Sequence, residues 1–179
     1  MRGMCLRNAG KKIDFPIAVC YSECVVSARK PYVGKERVSG REEYRMIAYS
    51  EDRQFQAEEL GALFSSVQWE SARYPERLTR AMQGYSLVIS AREEGRLVGL
   101  LAAMDDGEMT AYIHYLLVAP DQQRRGIGRE LIARAQSHYA GYERIVLHSE
   151  GNSEAFYRSL GFATMNAVSM IYYPQDKKQ

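Results

Sequence analysis

The sequence predicts an α/β (α+β) fold in which a mixed, mostly antiparallel sheet carries helices on both faces. Three observations support this. Three apolar runs of strand length follow one another in the middle of the chain with short turns between them. Segments with helical spacing precede and follow these runs. The length of 179 residues suits one ordinary domain with one sizeable core.

The first elements precede the central runs. Met46 to Tyr49 is a short apolar stretch before turn residues, which is typical of a strand. An amphipathic helix is indicated next by apolar side chains at helical spacing, namely Leu60, Leu63, Phe64 and Val67. A second helix is predicted from Pro75 to Met82, since proline suits a first turn and Gly84 follows as a stop.

The central runs predict an antiparallel meander. Its strands are Leu87 to Ala91, Leu97 to Ala103 and Ala111 to Val118. Acidic residues and glycine separate them, in Glu93-Glu94-Gly95 and in Asp105-Asp106-Gly107, and both tripeptides favour turns.

The pattern changes to a β-α-β unit after Pro120. A helix is predicted from Ile127 to about Tyr139, with Gly141 ending it, followed by a buried strand at Ile145 to Leu147. A helix at Ser153 to Leu160 and a final strand at Val168 to Tyr173 complete the order β-α-α-β-β-β-α-β-α-β. A meander that continues into such a unit implies a mixed sheet.

Residues 1–45 differ in character from the rest. Their net charge is +5 against −3 for residues 46–179, and they contain all three cysteines and no sustained periodicity. We expect an N-terminal extension of uncertain order, with the folded domain at residues 46–179. A secretory signal around Phe15 to Cys20 is the competing interpretation, and acidic flanks disfavour it. A native start at Met46 would explain the shift equally well.

Composition disfavours several classes of protein. A net charge of +2 argues against a nucleic-acid partner, and apolar stretches interrupted by charges argue against a membrane-spanning protein. Three cysteines within the first 24 residues leave the main body without disulfides, so we expect a cytoplasmic protein. No repeat is present, and no metal site is expected.

The most informative segment lies between the last meander strand and the following helix. Gly126 and Gly128 let successive backbone N–H groups turn into one concavity, and the helix N-terminus adds its positive dipole end. Three arginines add positive charge: Arg124, Arg125 and Arg129. The pattern favours a phosphate or pyrophosphate site. A P-loop is disfavoured because Arg129 and Glu130 follow Gly128, and a dinucleotide fingerprint is disfavoured because Leu131 occupies its third small position.

Two motifs together resemble the GCN5-related N-acetyltransferase (GNAT) superfamily. Gln123-Arg124-Arg125-Gly126-Ile127-Gly128 is similar to its acetyl-coenzyme A motif of Gln or Arg, two residues, Gly, one residue, and Gly or Ala. Asn152-Ser153-Glu154-Ala155-Phe156-Tyr157, with Leu160-Gly161-Phe162, resembles the second signature of the family. The resemblance covers about residues 46 to 173.

The resemblance implies acetyl-CoA as acyl donor and a splayed pair of parallel central strands, at Ala111 to Val118 and Arg144 to His148. Backbone amides near Arg124 to Arg129 would hold the pyrophosphate, and the pantetheine arm would enter between the strands. The cofactor-binding residues implied are Leu116, Leu117, Val118, Gln123, Arg124, Arg125, Gly126, Ile127, Gly128, Arg129, Asn152 and Phe156. Phe156 suits the core equally well.

The same resemblance implies the catalytic groups. Tyr157 matches the usual general acid of the family. The family often has a glutamate on the central strand that acts as the general base, but Tyr112 occupies that place here. His114 lies two residues further on the same strand face and titrates in a useful range, so it is the candidate base. His148, Glu150 and a water chain remain alternatives.

The acceptor is expected to be a small-molecule or peptide amine. Family pockets lie where this chain has Trp69, Tyr74, Tyr112 and Tyr115, although Trp69 and Tyr74 could instead cap the sheet. A homodimer is possible. Two other functions stay open: an acyl-CoA-binding regulatory module with little catalysis, and nucleic-acid binding through the basic first 45 residues.

Overall fold

The computed structural model describes residues 46–149, 153–166 and 169–172. The expectations for residues 1–45, Glu150 and Asn152 therefore lie outside the described residues. Within the described ranges, the strands are β1 (Ile47–Ser50), β2 (Leu87–Glu93), β3 (Arg96–Asp105), β4 (Thr110–Val118) and β5 (Arg144–Leu147). The helices are α1 (Ala57–Ser66), α2 (Pro75–Gly84), α3 (Ile127–His138) and α4 (Glu154–Arg158), and 3₁₀ turns lie at Glu70–Arg73 and Pro120–Gln122.

The strands form one sheet in chain order, β1-β2-β3-β4-β5. The first four strands pair antiparallel, and β5 pairs parallel to β4. The reversal occurs where α3 crosses between β4 and β5, because a parallel neighbour requires a crossover connection. The predicted fold class, a mixed and mostly antiparallel sheet with helices, is confirmed.

Both predicted meander turns are present. Glu94 and Gly95 have φ of 49° and 83°, which is the left-handed pair that a tight two-residue hairpin needs. At the β3–β4 turn, Asp106 Oδ1 accepts hydrogen bonds from the backbone N–H groups of Glu108, Met109 and Thr110. These bonds hold the pKa of Asp106 at about 2. This turn aspartate therefore organises the backbone.

Two hydrophobic clusters cover the two faces of the sheet. On one face, α1 and α2 pack through Leu60, Phe64, Leu78 and Met82. On the other face, α3 packs through its apolar stripe of Ile127, Leu131, Ile132 and Ala135. Helices therefore lie on both faces, as the alternating helical periods predict.

The C-terminal elements differ from the expectation. No strand is present at residues 169–172 of the predicted strand Val168 to Tyr173, and its two end residues are outside the described ranges. Met170, Ile171 and Tyr172 are exposed, so periodicity alone did not supply the pairing edge that a strand requires. The predicted helix at Ser153 to Leu160 is shorter, spanning Glu154–Arg158. The turn at Glu70–Arg73 was not predicted.

Among the described residues, no helix combines the length and the apolar character that crossing a bilayer requires.

Candidate active site

Strand β4 carries a β-bulge at its centre. Ala102 of β3 is opposite Tyr115, whereas the next residue, Ala103, is opposite Ile113. His114 is therefore the extra residue without a partner on β3. A bulge bends its strand and changes the direction of the local side chains. This places a titratable side chain at the distorted point of the sheet.

The pairing between β4 and β5 stops close to the bulge. Their parallel register runs from Thr110 opposite Arg144 to Ile113 opposite Leu147. Leu116 and Val118 lie beyond this point, where β4 remains paired to β3 on its other side. One edge of the second half of β4 is thus unpaired with β5, which is the opening that the splayed-strand expectation requires. Leu117, between them, is buried under α1 and α2.

The loop that joins β4 to α3, residues 119–126, has the backbone of an anion cradle. Arg124 and Gly126 have φ of 62° and 85°, so left-handed residues alternate with others immediately before the helix. Such alternation turns N–H groups toward one concavity. Gln123 closes the loop on the strand by donating from Nε2 to the Val118 carbonyl, at 3.1 Å. The helix begins at Ile127, whose first amides extend the cradle.

The start of α3 lies against β4 and α4. A Cβ atom added at Gly128 would lie 3.4 Å from Phe156 Cζ and 3.6 Å from Val118 Cγ2, so a larger side chain would fill this corner. Arg129 reaches α4 by donating to Ser159 Oγ at 3.2 Å. Ile127 is buried and packs toward Gly99, so only its backbone is available to a ligand. The structure thus brings Val118, Gly128 and Phe156 together.

Arg125 behaves differently from its neighbours. Its Nη1 lies 2.9 Å from Glu93 Oε1, an ion-pair contact outside hydrogen-bond angles, and Gln122 also accepts a hydrogen bond from this guanidinium. Glu93 is 4% exposed. The Arg125 charge is therefore neutralised inside the protein, and Arg124 and Arg129 carry the exposed positive charge of this region.

Tyr157, on α4, is in an apolar setting. Its ring packs edge-on to Phe156 and Phe162, with centroid distances of 5.1 and 5.8 Å. Burial raises the pKa of the Tyr157 phenol, because the phenolate would lose hydration. The group therefore holds its proton at neutral pH, as a general acid must.

His114 is held by two neighbours. Its ring stacks on Tyr115, with centroids 4.1 Å apart and an angle of 16° between the planes. Its Nδ1 is hydrogen-bonded to the phenol of Tyr85. The side chain remains exposed on one edge, but these contacts remove part of the water around it, and this partial desolvation lowers the pKa of His114 below its ordinary 6.5. The imidazole is therefore neutral at pH 7 and can accept a proton.

Aromatic and imidazole rings continue from the bulge in both directions. We call this set, Trp69, Tyr115, His114, Tyr112 and His148, the aromatic row. Trp69 lies 5.2 Å from Tyr115, and Tyr112 lies 6.0 Å from His114 and 5.6 Å from His148. The row brings together the candidate base, one of its alternatives and three of the expected acceptor residues.

Tyr74 and His148 have further contacts of their own. The Arg77 guanidinium lies 5.3 Å from the centre of the Tyr74 ring, and this ring is 43% exposed. His148 Nδ1 is hydrogen-bonded to Ser169 Oγ at 2.7 Å. Among the described residues, no group of three metal-binding side chains is present.

Sequence reasoning missed Tyr85 and Glu93. Tyr85 lies between α2 and β2, 29 residues before its histidine partner, and no motif marks it. Glu93 was assigned to a hairpin turn together with Glu94, but it is the last residue of β2 and is buried. A buried acid opposite an arginine of the motif becomes apparent only when β2 and the β4–α3 loop are adjacent.

Comparisons with known proteins agree with this geometry. The family model "Acetyltransferase (GNAT) domain" matches residues 51–170, more than half of the chain. The chain belongs to the GNAT acetyltransferase family and is an N-acetyltransferase, an acyltransferase enzyme.

Individual relatives carry the same activity in their names. An uncharacterized N-acetyltransferase, ycf52, of Pyropia yezoensis is 27% identical over 154 residues, covering 82% of this chain and 88% of the relative. Serotonin N-acetyltransferase 2 of Oryza sativa subsp. japonica is 34% identical over 97 residues, about half of each chain (51% and 48%). A GNAT-family acetyltransferase structure from Streptococcus pneumoniae gives a TM-score of 0.63 at 26% identity, over 73% of this chain and all of that one (100%).

Proposed function

We propose that this N-acetyltransferase moves the acetyl group of acetyl-CoA directly to a primary amine. One observation carries the proposal. The β4–α3 loop has left-handed backbone at Arg124 and Gly126, and it is attached to the end of β4 where pairing with β5 has stopped. This arrangement combines an anion cradle with an adjacent strand edge available for a long, amide-containing arm.

The residues present fit coenzyme A. The cradle and the first amides of α3 suit the diphosphate, with Arg124 and Arg129 supplying exposed positive charge. Glycine at position 128 keeps the corner between Phe156 and Val118 open. When bound, acetyl-CoA supplies an acetyl thioester. The backbone of Leu116 to Val118 would hold the arm of the cofactor.

Two side chains have protonation states that match the chemistry. An alkylamine with a pKa near 10.4 is mostly charged at pH 7, so a base must remove a proton before the nitrogen can attack. His114, neutral because partial desolvation lowers its pKa, would accept that proton. Tyr157 Oη, whose pKa is raised by burial, holds the proton that a departing thiolate needs.

The aromatic row favours an acceptor that carries an aromatic ring. Trp69 and Tyr115 lie 5.2 Å apart, tilted at 51°, and Trp69 is 37% exposed, so its ring offers an accessible apolar face. Aromatic faces of this kind bind rings and cations. The rice relative is named for serotonin, an aromatic amine, which supports the same class of substrate.

The first experiment is calorimetric titration with coenzyme A. We expect binding by the wild-type chain and loss of binding in Gly126→Val, because a β-branched residue is strained at a φ of 85°. Gly84→Ala is the matched control, since a Cβ atom there meets nothing within 4 Å. Equal affinity in all three proteins would refute the cradle.

The second experiment measures thiol release from acetyl-CoA with a panel of amines. Aromatic ethylamines should react better than polyamines, amino acids or a peptide N-terminus. Tyr157→Phe should lower kcat by about 10² or more with little change in KM, since general acid catalysis contributes about that much. Tight coenzyme A binding with no acetylated amine, and no effect of Tyr157→Phe, would favour a binding module instead.

A further inference from the structure

Tyr85 is a buried tyrosine that is hydrogen-bonded to the proposed base. It follows α2 directly, is 7% exposed, and its phenol oxygen is hydrogen-bonded to His114 Nδ1. Its ring lies 5.8 Å from the imidazole at an angle of 49°. Burying a phenol is costly unless the oxygen is hydrogen-bonded, so this contact stabilises the arrangement.

The ring of His114 is therefore restrained in two ways. Stacking on Tyr115 sets the plane of the imidazole, and the Tyr85 phenol engages one end of it. Because Nδ1 is committed to a buried partner, Nε2 is the ring nitrogen left for a substrate proton. Nε2 can accept that proton only if the neutral imidazole carries its hydrogen on Nδ1.

The surroundings of Tyr85 allow this hydrogen-bond direction. Burial, followed by the nearby Tyr115 and Tyr112, raises the pKa of Tyr85, so the phenol remains protonated. A protonated phenol can accept a hydrogen bond from Nδ1–H while its own hydrogen points to Tyr115. The phenolic rings of Tyr85 and Tyr115 have centroids 6.0 Å apart.

We infer that Tyr85 is a positioning residue which accepts a hydrogen bond from Nδ1–H of His114 and thereby keeps Nε2 unprotonated for the amine. The inference rests on the proposed role of His114. When a histidine acts through one ring nitrogen, a hydrogen-bond acceptor at the other nitrogen fixes the tautomer and the orientation of the ring. The inference assigns this task to Tyr85.

The direct test is ¹⁵N NMR of histidine-labelled protein above neutral pH. The chain has three histidines, so the spectrum is simple, and His114→Gln assigns the signal. We expect the Nδ1–H tautomer for His114 in the wild type and the Nε2–H tautomer, which predominates in free histidine, in Tyr85→Phe. A wild-type Nε2–H tautomer, or the same tautomer in both proteins, would overturn the inference.

Kinetics provide a second readout. Tyr85→Phe should lower kcat/KM for the amine by about tenfold, the lower end of losses seen when a histidine loses its partner, without changing KM for acetyl-CoA. The pKa below which kcat/KM falls in the pH–rate profile should also decrease, because the His114 imidazolium loses the hydrogen-bond acceptor that stabilises it. Tyr142→Phe, which removes a phenol bonded to Asp105 at 3.1 Å, is the control and should change neither readout.

The outcomes separate the two proposals. If no amine is acetylated, the proposed function fails while the NMR experiment still decides the tautomer. If amines are acetylated but Tyr85→Phe alters neither the tautomer nor the pH profile, the role of Tyr85 fails alone. A cooperative thermal transition of Tyr85→Phe, even at a lower Tm than that of the wild type, would show that the variant is folded.

Discussion

His114 and Tyr157, the proposed base and acid, both have pKa values shifted by loss of surrounding water, although His114 keeps an exposed edge. Loss of water disfavours the charged form of each group, so the pKa of the imidazole falls and that of the phenol rises. At neutral pH the histidine is then free of its extra proton and the tyrosine retains its own. The proposed pairing needs no carboxylate, which suits a strand that has Tyr112 where the resemblance would place a glutamate.

We predict that His114→Gln removes the acid limb of the pH–rate profile. The neutral imidazole is the active form, so wild-type kcat/KM should fall as pH drops below a pKa that is lower than 6.5. The variant should lose about 10² in kcat/KM, the lower range of general base catalysis, and should not show this limb. Steady-state kinetics across pH would measure both effects.

His138→Gln is the matched control, because His138 is an exposed residue in the last turn of α3. Its profile should match that of the wild type. An unchanged acid limb in His114→Gln would assign the base to another group, with His148 the next candidate.

The β4–α3 loop shows how an element is positioned from outside itself. Arg125 is drawn away from solvent by Glu93 at the end of β2, 2.9 Å from its guanidinium. The neighbouring Arg124 and Gly126 adopt left-handed backbone. The ion pair thus links the end of β2 to the loop whose backbone forms the cradle.

We predict that Glu93→Gln weakens coenzyme A binding by about tenfold, equivalent to ~1.4 kcal/mol. The variant leaves the Arg125 charge buried without its partner, so the guanidinium should move and disturb the loop. Calorimetry would measure the affinity, and KM for the amine should be unaffected. Glu94→Gln, at the exposed neighbouring position, should bind like the wild type. Equal losses in both variants would contradict the role of the ion pair.

The β3–β4 turn gives a prediction about pH and stability. The folded-state pKa of Asp106 is about 2, below the ordinary 3.8. The ionised carboxylate therefore contributes fully to folding stability above about pH 4, and this contribution is lost as pH falls toward 2. Asp106→Asn should therefore lower Tm at neutral pH, and the difference from wild type should disappear near pH 2. Thermal unfolding followed by circular dichroism would test this.

Glu108→Gln removes the same charge from the same turn without removing the oxygen that accepts the three backbone bonds. It should have a much smaller effect on Tm. A difference between Asp106→Asn and wild type that persists unchanged to pH 2 would mean that charge is not the cause.

At the scale of the whole molecule, the two faces of the sheet support different parts of the proposed site. The α1–α2 face includes Phe64, whose ring lies 5.9 Å from Trp69 and 5.0 Å from Tyr115, so its core supports the proposed acceptor pocket. The α3 face supports the cradle through Ile127, the first residue of that helix. Amine binding would then depend on the α1–α2 face, and coenzyme A binding on the α3 face.

We predict that Phe64→Ala and Ile132→Ala both destabilise the protein but differ in kinetics. Both side chains are fully buried, at 0% exposure, and truncations of this kind cost about 2–5 kcal/mol. Only Phe64→Ala should raise KM for the amine, because it removes the support of Trp69 and Tyr115. Urea unfolding and steady-state kinetics would separate the effects, and equal increases of amine KM would contradict the division.

Local patterns were sufficient wherever one segment contains its own signal. The meander turns, the amphipathic stripes of α1 and α3, and the glycine-containing motif before α3 are all visible in sequence, because period, turn chemistry and backbone freedom act within a few residues. The same holds for the GNAT resemblance. The prediction of a last strand was wrong for residues 169–172, because strand pairing needs a neighbouring strand and periodicity does not supply one.

The sequence by itself determined the fold class, the family and the segment that forms the cradle. Only the tertiary structure decided that His114 is a bulged residue hydrogen-bonded to Tyr85, and that Arg125 faces Glu93 instead of solvent. Both contacts join residues about 30 positions apart in the chain, and their partners are chosen by the register of the sheet. The desolvation that shifts the pKa values of His114 and Tyr157 likewise exists only after the elements have packed.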